Sequence, residues 1–125
     1  MEDFWPTISE TDADAAALSL LKEQARLLSQ KTGGKLQAEL YTFPVGGSLQ
    51  HNFEIVVPAL GGYRFQLFSV SHTPEGFPIH AQVEDKHSTL KTESSFEEWL
   101  RATLSSERTR KILANLLSQV NAQAA

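Results

Sequence analysis

The chain contains no cysteine and no long hydrophobic run. Without cysteine there can be no disulfide, no thiolate metal ligand and no cysteine nucleophile. No stretch approaches the ~20 apolar residues that cross a bilayer, and the amino terminus has neither the basic start nor the apolar core of a signal peptide. We therefore expect a cytoplasmic protein that neither spans nor binds a membrane.

Clustered basic charge is also missing. The 125 residues carry 11 Lys and Arg against 15 Asp and Glu, which gives a formal net charge of −4 at pH 7. Nucleic-acid binding requires clustered Lys and Arg that neutralise phosphates. The closest group of basic residues lies among acidic ones and consists of Arg101, Arg108, Arg110 and Lys111. The composition argues against a nucleic-acid partner and fits one small domain over residues 1–125.

Catalytic and cofactor motifs are absent as well. The pair Gly46-Gly47 precedes Ser48, but nucleotide-binding loops and serine nucleophile elbows both need a helix after the glycine turn. Here the pattern after the glycines predicts another strand. We therefore predict no cofactor and no catalytic residue, and we rank an enzyme last among the function classes.

The four histidines do not have the spacing of a metal site. No pair is two residues apart on a predicted strand or four apart on a predicted helix, the separations that direct two imidazoles to one ion. His51, His72 and His87 also fall in predicted loops. Assembly through the fold could join two histidines to Glu54 or Glu84, but the sequence itself predicts no metal site.

Alternation of apolar and polar residues predicts a sheet in the middle of the chain, because a period of two is typical of a strand. The predicted strands are 36–43, 52–58, 63–70 and 79–84, and a short edge strand at 88–92 would make a fifth. Glycine and proline between them predict antiparallel hairpins. Residues 44–51 are predicted to form a flexible loop.

Aligning the apolar positions of these strands divides the sheet into two faces. The predicted core face contains Phe53, Ile55, Val57, Tyr63, Phe65, Leu67, Ala81 and Val83. The predicted polar face contains Asn52, Glu54, Arg64, Gln66, His80, Gln82 and Glu84, with Val56, Phe68 and Val70 among them. A ligand site on the sheet is expected on the polar face.

Helical spacing of apolar residues predicts one helix before the sheet, from Ala13 to Lys31, and two helices after it. The second helix has Ser95 as its predicted N-cap, in a capping box with Glu98. The third helix begins near Glu107, and its tail 121–125 is expected to fray. Because strands and helices are segregated along the chain, we predict an α+β fold with both C-terminal helices on the apolar face. Residues 1–8 are predicted to form an arm whose Phe4 and Trp5 cover a core edge or, alternatively, contact a partner.

Arg64 is the centre of the predicted ligand site. The predicted register places it beside Glu54 and Glu84, which would form a cross-strand ionic ladder. Alternatively, Arg64 and His80 bind a polar or anionic ligand, with Tyr41 as a further contact. The predicted ligand-binding residues are therefore Arg64, His80, Glu84, Glu54 and Tyr41.

Three function classes follow from these features. The most favoured is a small acidic protein-binding module, by analogy of size and charge with inhibitors, immunity-type proteins and chaperones. Its partner would be another protein or a second copy of this chain, contacted through the apolar last helix. The second class is a ligand-binding or sensor domain that uses the polar sheet face. The third is an enzyme.

Overall fold

The computed structural model describes residues 1–9 and 17–124. The described elements are α1 (Ala17–Lys31), β1 (Gln37–Val45), β2 (Ser48–Val57), β3 (Tyr63–His72), β4 (Ile79–Val83), β5 (Lys86–Leu90), α2 (Glu93–Leu104) and α3 (Glu107–Ala124). This order confirms the predicted α+β fold, with one helix before the sheet and two after it. The predicted helix start at Ala13 lies outside the described residues. None of the helices in the described ranges is long and apolar enough to cross a membrane.

The five strands form an antiparallel meander in the order β1-β2-β3-β4-β5. The predicted loop 44–51 is wrong, because β1 and β2 continue into a tight hairpin in which Val45 pairs with Ser48. Gly46 adopts a φ of 60° in this two-residue turn, a backbone conformation that glycine accepts without a steric penalty. The shorter turn places His51 inside β2 rather than in a loop.

A β-bulge in β3 changes the predicted division of the sheet faces. Phe53 pairs with Phe68 and Glu54 with Gln66, which leaves Leu67 without a partner on β2. A bulge adds one residue to a strand and shifts the alternation that follows it. Leu67 and Phe68 are therefore both buried at 1 % exposure, and Val70 is equally buried. The prediction that Phe68 and Val70 lie on the polar face is wrong for this reason.

The core forms where the helices cover one face of this sheet. Phe68 is its centre: its ring stacks on Phe53 at 4.9 Å between centroids and meets Trp99 edge-on at 5.1 Å. Helix α1 contributes Leu21, which is fully buried. Tyr63 pairs with Val57 on the predicted core side of the sheet but is 48 % exposed, at an edge where it lines a depression with Leu116 and Gln119 of α3.

Helix α2 begins one turn earlier than predicted. The Thr92 hydroxyl accepts a hydrogen bond from the Ser95 backbone N–H at 3.1 Å, and the Ser95 hydroxyl accepts one from the Thr92 N–H at 3.1 Å. Thr92 rather than Ser95 is therefore the N-cap, because its extended backbone leaves its side chain free to reach the first turn. At the other end of the chain, α3 continues to Ala124, through the predicted frayed tail.

The N-terminal segment, residues 1–9, carries four large apolar side chains that the core does not cover, of which Met1 is at the end of the chain. Phe4 is 87 % exposed, Trp5 80 % and Ile8 84 %. The prediction that Phe4 and Trp5 cover a core edge is therefore wrong, and the alternative of a partner contact stays a prediction. Large aromatic side chains left in water are uncommon in a folded domain.

Candidate functional site

A groove lies between α1 on one side and α2 and α3 on the other. We call it the helix groove; its volume is about 610 Å³. Its floor is the core face of the sheet, and its walls are helical. The lining residues are Gln24, Leu27, Leu28, Gln30 and Lys31 from α1, Phe53, Ile55 and Leu67 from the sheet, and Leu104, Thr109 and Leu113 from α2 and α3.

The groove exists because the helices pack against different parts of the sheet. Helix α1 lies mainly on β1, whereas α2 lies on β5 and beside α3. Helix α3 also packs on the 3-10 turn Pro58–Leu60 that follows β2. Between these contacts a strip of the sheet forms the floor of the groove, and apolar side chains of α1 on one side and of α2 and α3 on the other form its walls. Leu27 on the α1 wall is 40 % exposed, so apolar surface remains available to a ligand there.

Charge in the groove is sparse and positive. Among the described lining residues Lys31 is a cation and none is a carboxylate. Thr109 is not available to a ligand, because its hydroxyl donates to the Thr103 carbonyl at 2.8 Å and is 3.1 Å from the Ser106 hydroxyl that donates to it. The polar groups at the groove are therefore those of α1, at its rim.

A smaller depression of about 290 Å³ extends the groove toward the start of α1. The two share Gln24 and Leu104, and the extension reaches Leu20. From Leu20 to Lys31 a helix rises about 17 Å at ~1.5 Å per residue. The combined surface is therefore an elongated channel rather than a compact pocket, with apolar side chains along its length and the exposed ion pair of Glu97 and Arg101 at the extension.

Arg64 lies on the polar sheet face, as predicted, but one of its two partners differs from the prediction. Its Nη2 donates to Glu39 Oε2 at 2.8 Å and its Nη1 to Glu54 Oε1 at 3.2 Å. These two carboxylates, Glu39 first, raise the pKa of the Arg64 guanidinium above its ordinary value. The predicted ladder of Glu54, Arg64 and Glu84 is wrong, because Glu39 takes the place assigned to Glu84. One arginine between two carboxylates leaves a local charge of −1.

Tyr41 lies beside this ion-pair cluster and lines a shallow depression of about 370 Å³ with Leu40 and the three charged residues. The structure thus brings together three predicted site residues: Arg64, Glu54 and Tyr41. Glu39 is the member that the sequence reading missed. The feature of the sequence that could have identified Glu39 is its strand position, because Glu39 pairs directly with Glu54 across β1 and β2.

His80 and Glu84 lie elsewhere. His80 pairs with Ser71, seven residues along β3 from Arg64, which corresponds to about 23 Å at ~3.3 Å per residue. Glu84 accepts a hydrogen bond from Arg108 Nε at 2.8 Å. One small ligand cannot contact Arg64 and His80 together.

Two histidines, one buried and one partly exposed, form a hydrogen-bonded chain that the sequence reading did not predict. His51 is 2 % exposed, and its Nε2 lies 2.9 Å from His72 Nε2. His72 Nδ1 lies 2.9 Å from the Thr73 carbonyl, to which it can only donate, and the Thr42 hydroxyl lies 2.8 Å from His51 Nδ1. The contact between the two Nε2 atoms is a hydrogen bond only when one of them carries a proton and the other does not.

Burial lowers the pKa of His51, and the charge that His72 can carry lowers it further. Because the folded state then holds fewer protons than the unfolded chain below the ordinary histidine pKa of about 6.5, we expect the free energy of unfolding to fall as the pH drops below that value. Above it, His51 has no such effect. Urea denaturation at pH values on both sides of this pKa measures the slope.

The matched variants for this measurement are His51→Gln and His80→Gln. His51→Gln should flatten the pH dependence, whereas His80→Gln should retain the wild-type slope, because His80 is exposed and makes a single 3.4 Å contact with Thr89. An unchanged slope in His51→Gln would contradict a lowered pKa of the buried His51 imidazole.

Comparisons with protein-family models, curated proteins and solved structures gave no match to this chain. The site must therefore be interpreted from its own geometry. Among the described residues there is no group of three or more histidine, cysteine, aspartate or glutamate side chains that could hold a metal ion. Within residues 1–9 and 17–124, His51 and His72 are a pair without a third such ligand.

Proposed function

We propose that this chain is a protein-binding module whose helix groove receives an apolar segment of a partner protein. The observation that carries the proposal is the elongated, largely apolar channel between α1 and helices α2 and α3, with polar groups of α1 on one rim and the ion pair of Glu97 and Arg101 on the other. Amphipathic helices bind such grooves through apolar residues spaced three to four positions apart. A channel of about 17 Å, as estimated above, accommodates about three turns of helix.

The composition of the groove favours a peptide segment over a small polar ligand. Small-molecule sites combine apolar walls with several convergent polar groups that fix the orientation of the ligand. Here the lining offers Lys31 and two glutamines, all on one wall. An apolar segment with acidic or polar flanking residues fits this distribution, because its side chains would be buried on the floor while its charges face the rim.

The alternative proposal is a small polar or anionic ligand bound on the sheet face around Arg64. Both terminal nitrogens of Arg64 already donate to carboxylates. An anion would have to displace Glu39 or Glu54 and would meet the net negative charge of the cluster. We therefore place this alternative second.

Selection from a random peptide display library tests the proposal. We expect the selected peptides to carry apolar residues at helical spacing and to bind the full chain. Leu27→Asp should weaken their affinity at least tenfold, or about 1.4 kcal/mol, because it places a charge on the exposed apolar wall of the groove. Calorimetric titration of each peptide into the protein measures the change in affinity.

The matched control is Tyr41→Asp. Tyr41 is 62 % exposed and lies on the opposite face of the sheet, so this variant makes a similar change away from the groove. Peptide affinity should be unchanged in Tyr41→Asp. Peptides that lose affinity in Tyr41→Asp and keep it in Leu27→Asp would place binding on the sheet face and overturn the proposal, as would a selection that yields no groove-binding peptide.

A further inference from the structure

The N-terminal segment has the chemistry expected of an occupant of the helix groove. Phe4, Trp5 and Ile8 are each at least 80 % exposed. The only charged side chains of residues 1–9 are the acidic Glu2 and Asp3. The segment is thus an apolar peptide with a negative end, and it belongs to the same chain as an open apolar groove.

The N-terminal segment matches the helix groove in charge and in length. The helix groove has Lys31 as a cation and no carboxylate among the described residues that line it, whereas its extension is lined by the ion pair Glu97 and Arg101, so the channel as a whole carries a net positive charge of one. An extended strand from Phe4 to Ile8 covers about 13 Å at ~3.3 Å per residue, which fits within the channel of about 17 Å. Glu2 and Asp3 would then lie at the rim when the three apolar side chains are on the floor.

We infer that the helix groove takes the N-terminal segment of a second copy of this chain, in a reciprocal exchange that forms a two-fold dimer. Within one chain the segment is exposed and the groove is open. An exchange between two copies makes the same contact twice and covers both apolar surfaces of both copies, which is the self-complementary arrangement of closed dimers. The inference rests on the proposed function, and it adds a regulatory step: a partner segment must displace the exchanged one.

The first test is the mass of the full chain in solution, measured by light scattering over a wide range of protein concentration. We expect a dimer. The double variant Phe4→Ser/Trp5→Ser and the groove variant Leu27→Asp should each raise the dissociation constant at least tenfold. Tyr41→Asp should leave it unchanged. Both segment residues lie outside the core, so circular dichroism should report the same folded chain in each variant.

The second test is competition by a synthetic peptide of residues 1–9. Added to the full-length dimer, it should produce monomers in proportion to its concentration, and the same peptide with both aromatic residues replaced by serine should not. A monomer at every concentration, or a dimer that persists in both variants, would overturn the inference.

These outcomes separate the inference from the proposed function. If the chain is monomeric but display-selected peptides still lose affinity in Leu27→Asp, the groove binds protein segments and the exchange alone is wrong. If the selected peptides and the peptide of residues 1–9 both fail to bind, then the inference and the proposed function are wrong together.

Discussion

Phe68→Ala will lower the free energy of unfolding by about 3–5 kcal/mol, the usual cost of removing a buried phenylalanine ring. Phe68 is 1 % exposed, stacks on Phe53 and meets the edge of Trp99. Its removal leaves a cavity between the sheet and α2 that neither neighbour can fill, because both rings are held by their own contacts. Denaturation in urea, followed by circular dichroism, measures the loss.

Two neighbours on β3 are the controls for this prediction. Gln66→Ala should change stability by less than about 0.5 kcal/mol, because Gln66 is exposed. Phe65→Ala should cost less than Phe68→Ala, since Phe65 is only partly buried, with the Arg108 guanidinium 5.8 Å from its ring centroid. The sequence reading instead makes Phe65 a core residue and Phe68 a surface one. A larger loss for Phe65→Ala than for Phe68→Ala would contradict the bulge.

Removal of α3, residues 107–124, will abolish the cooperative unfolding transition. Leu116 and Val120 are buried and contribute about 1.5–3 kcal/mol each. Ile112, Leu113 and Leu117 pack against the same core, and the truncation would also expose the surface that they cover. Their sum is comparable to the whole stability of a small domain, about 5–15 kcal/mol. Thermal unfolding of the truncated chain tests the expectation.

The matched truncation is removal of the N-terminal segment. Loss of residues 1–9 should leave a cooperative unfolding transition in place, because the segment's large apolar side chains lie outside the chain's own core. Comparing the two truncations tests the predicted interaction through the C-terminal helix. A truncation at residue 106 that stays folded and loses only self-association would transfer the interaction surface from the helix groove to α3.

The candidate site was only partly predictable from the sequence. The strand period placed Arg64 and Glu54 on one face, and the structure has them in contact. It could not place His80 relative to Arg64, because the separation depends on where β3 and β4 begin to pair. Those strands pair only from Ser69 to Ser71, at the far end of β3 from Arg64.

The contact between His51 and His72 also could not be predicted from the sequence. His51 and His72 are separated by 21 residues, and their contact depends on the length of two hairpins. The tight turn at Gly46 extends β2 back to Ser48 and so brings His51 into the sheet. A glycine pair indicates a turn but does not determine how far pairing continues beyond it.

The sequence by itself determined the type and order of the elements: one helix, an antiparallel meander and two helices. Periods of two and 3.6 residues, glycine turns and capping side chains depend only on residues close in sequence, so they can be detected without the fold. Only the tertiary structure decided the bulge at Leu67, the register of the strands, the histidine pair and the helix groove. Each depends on how distant segments pack against one another, and the groove depends on where α1, α2 and α3 meet one sheet.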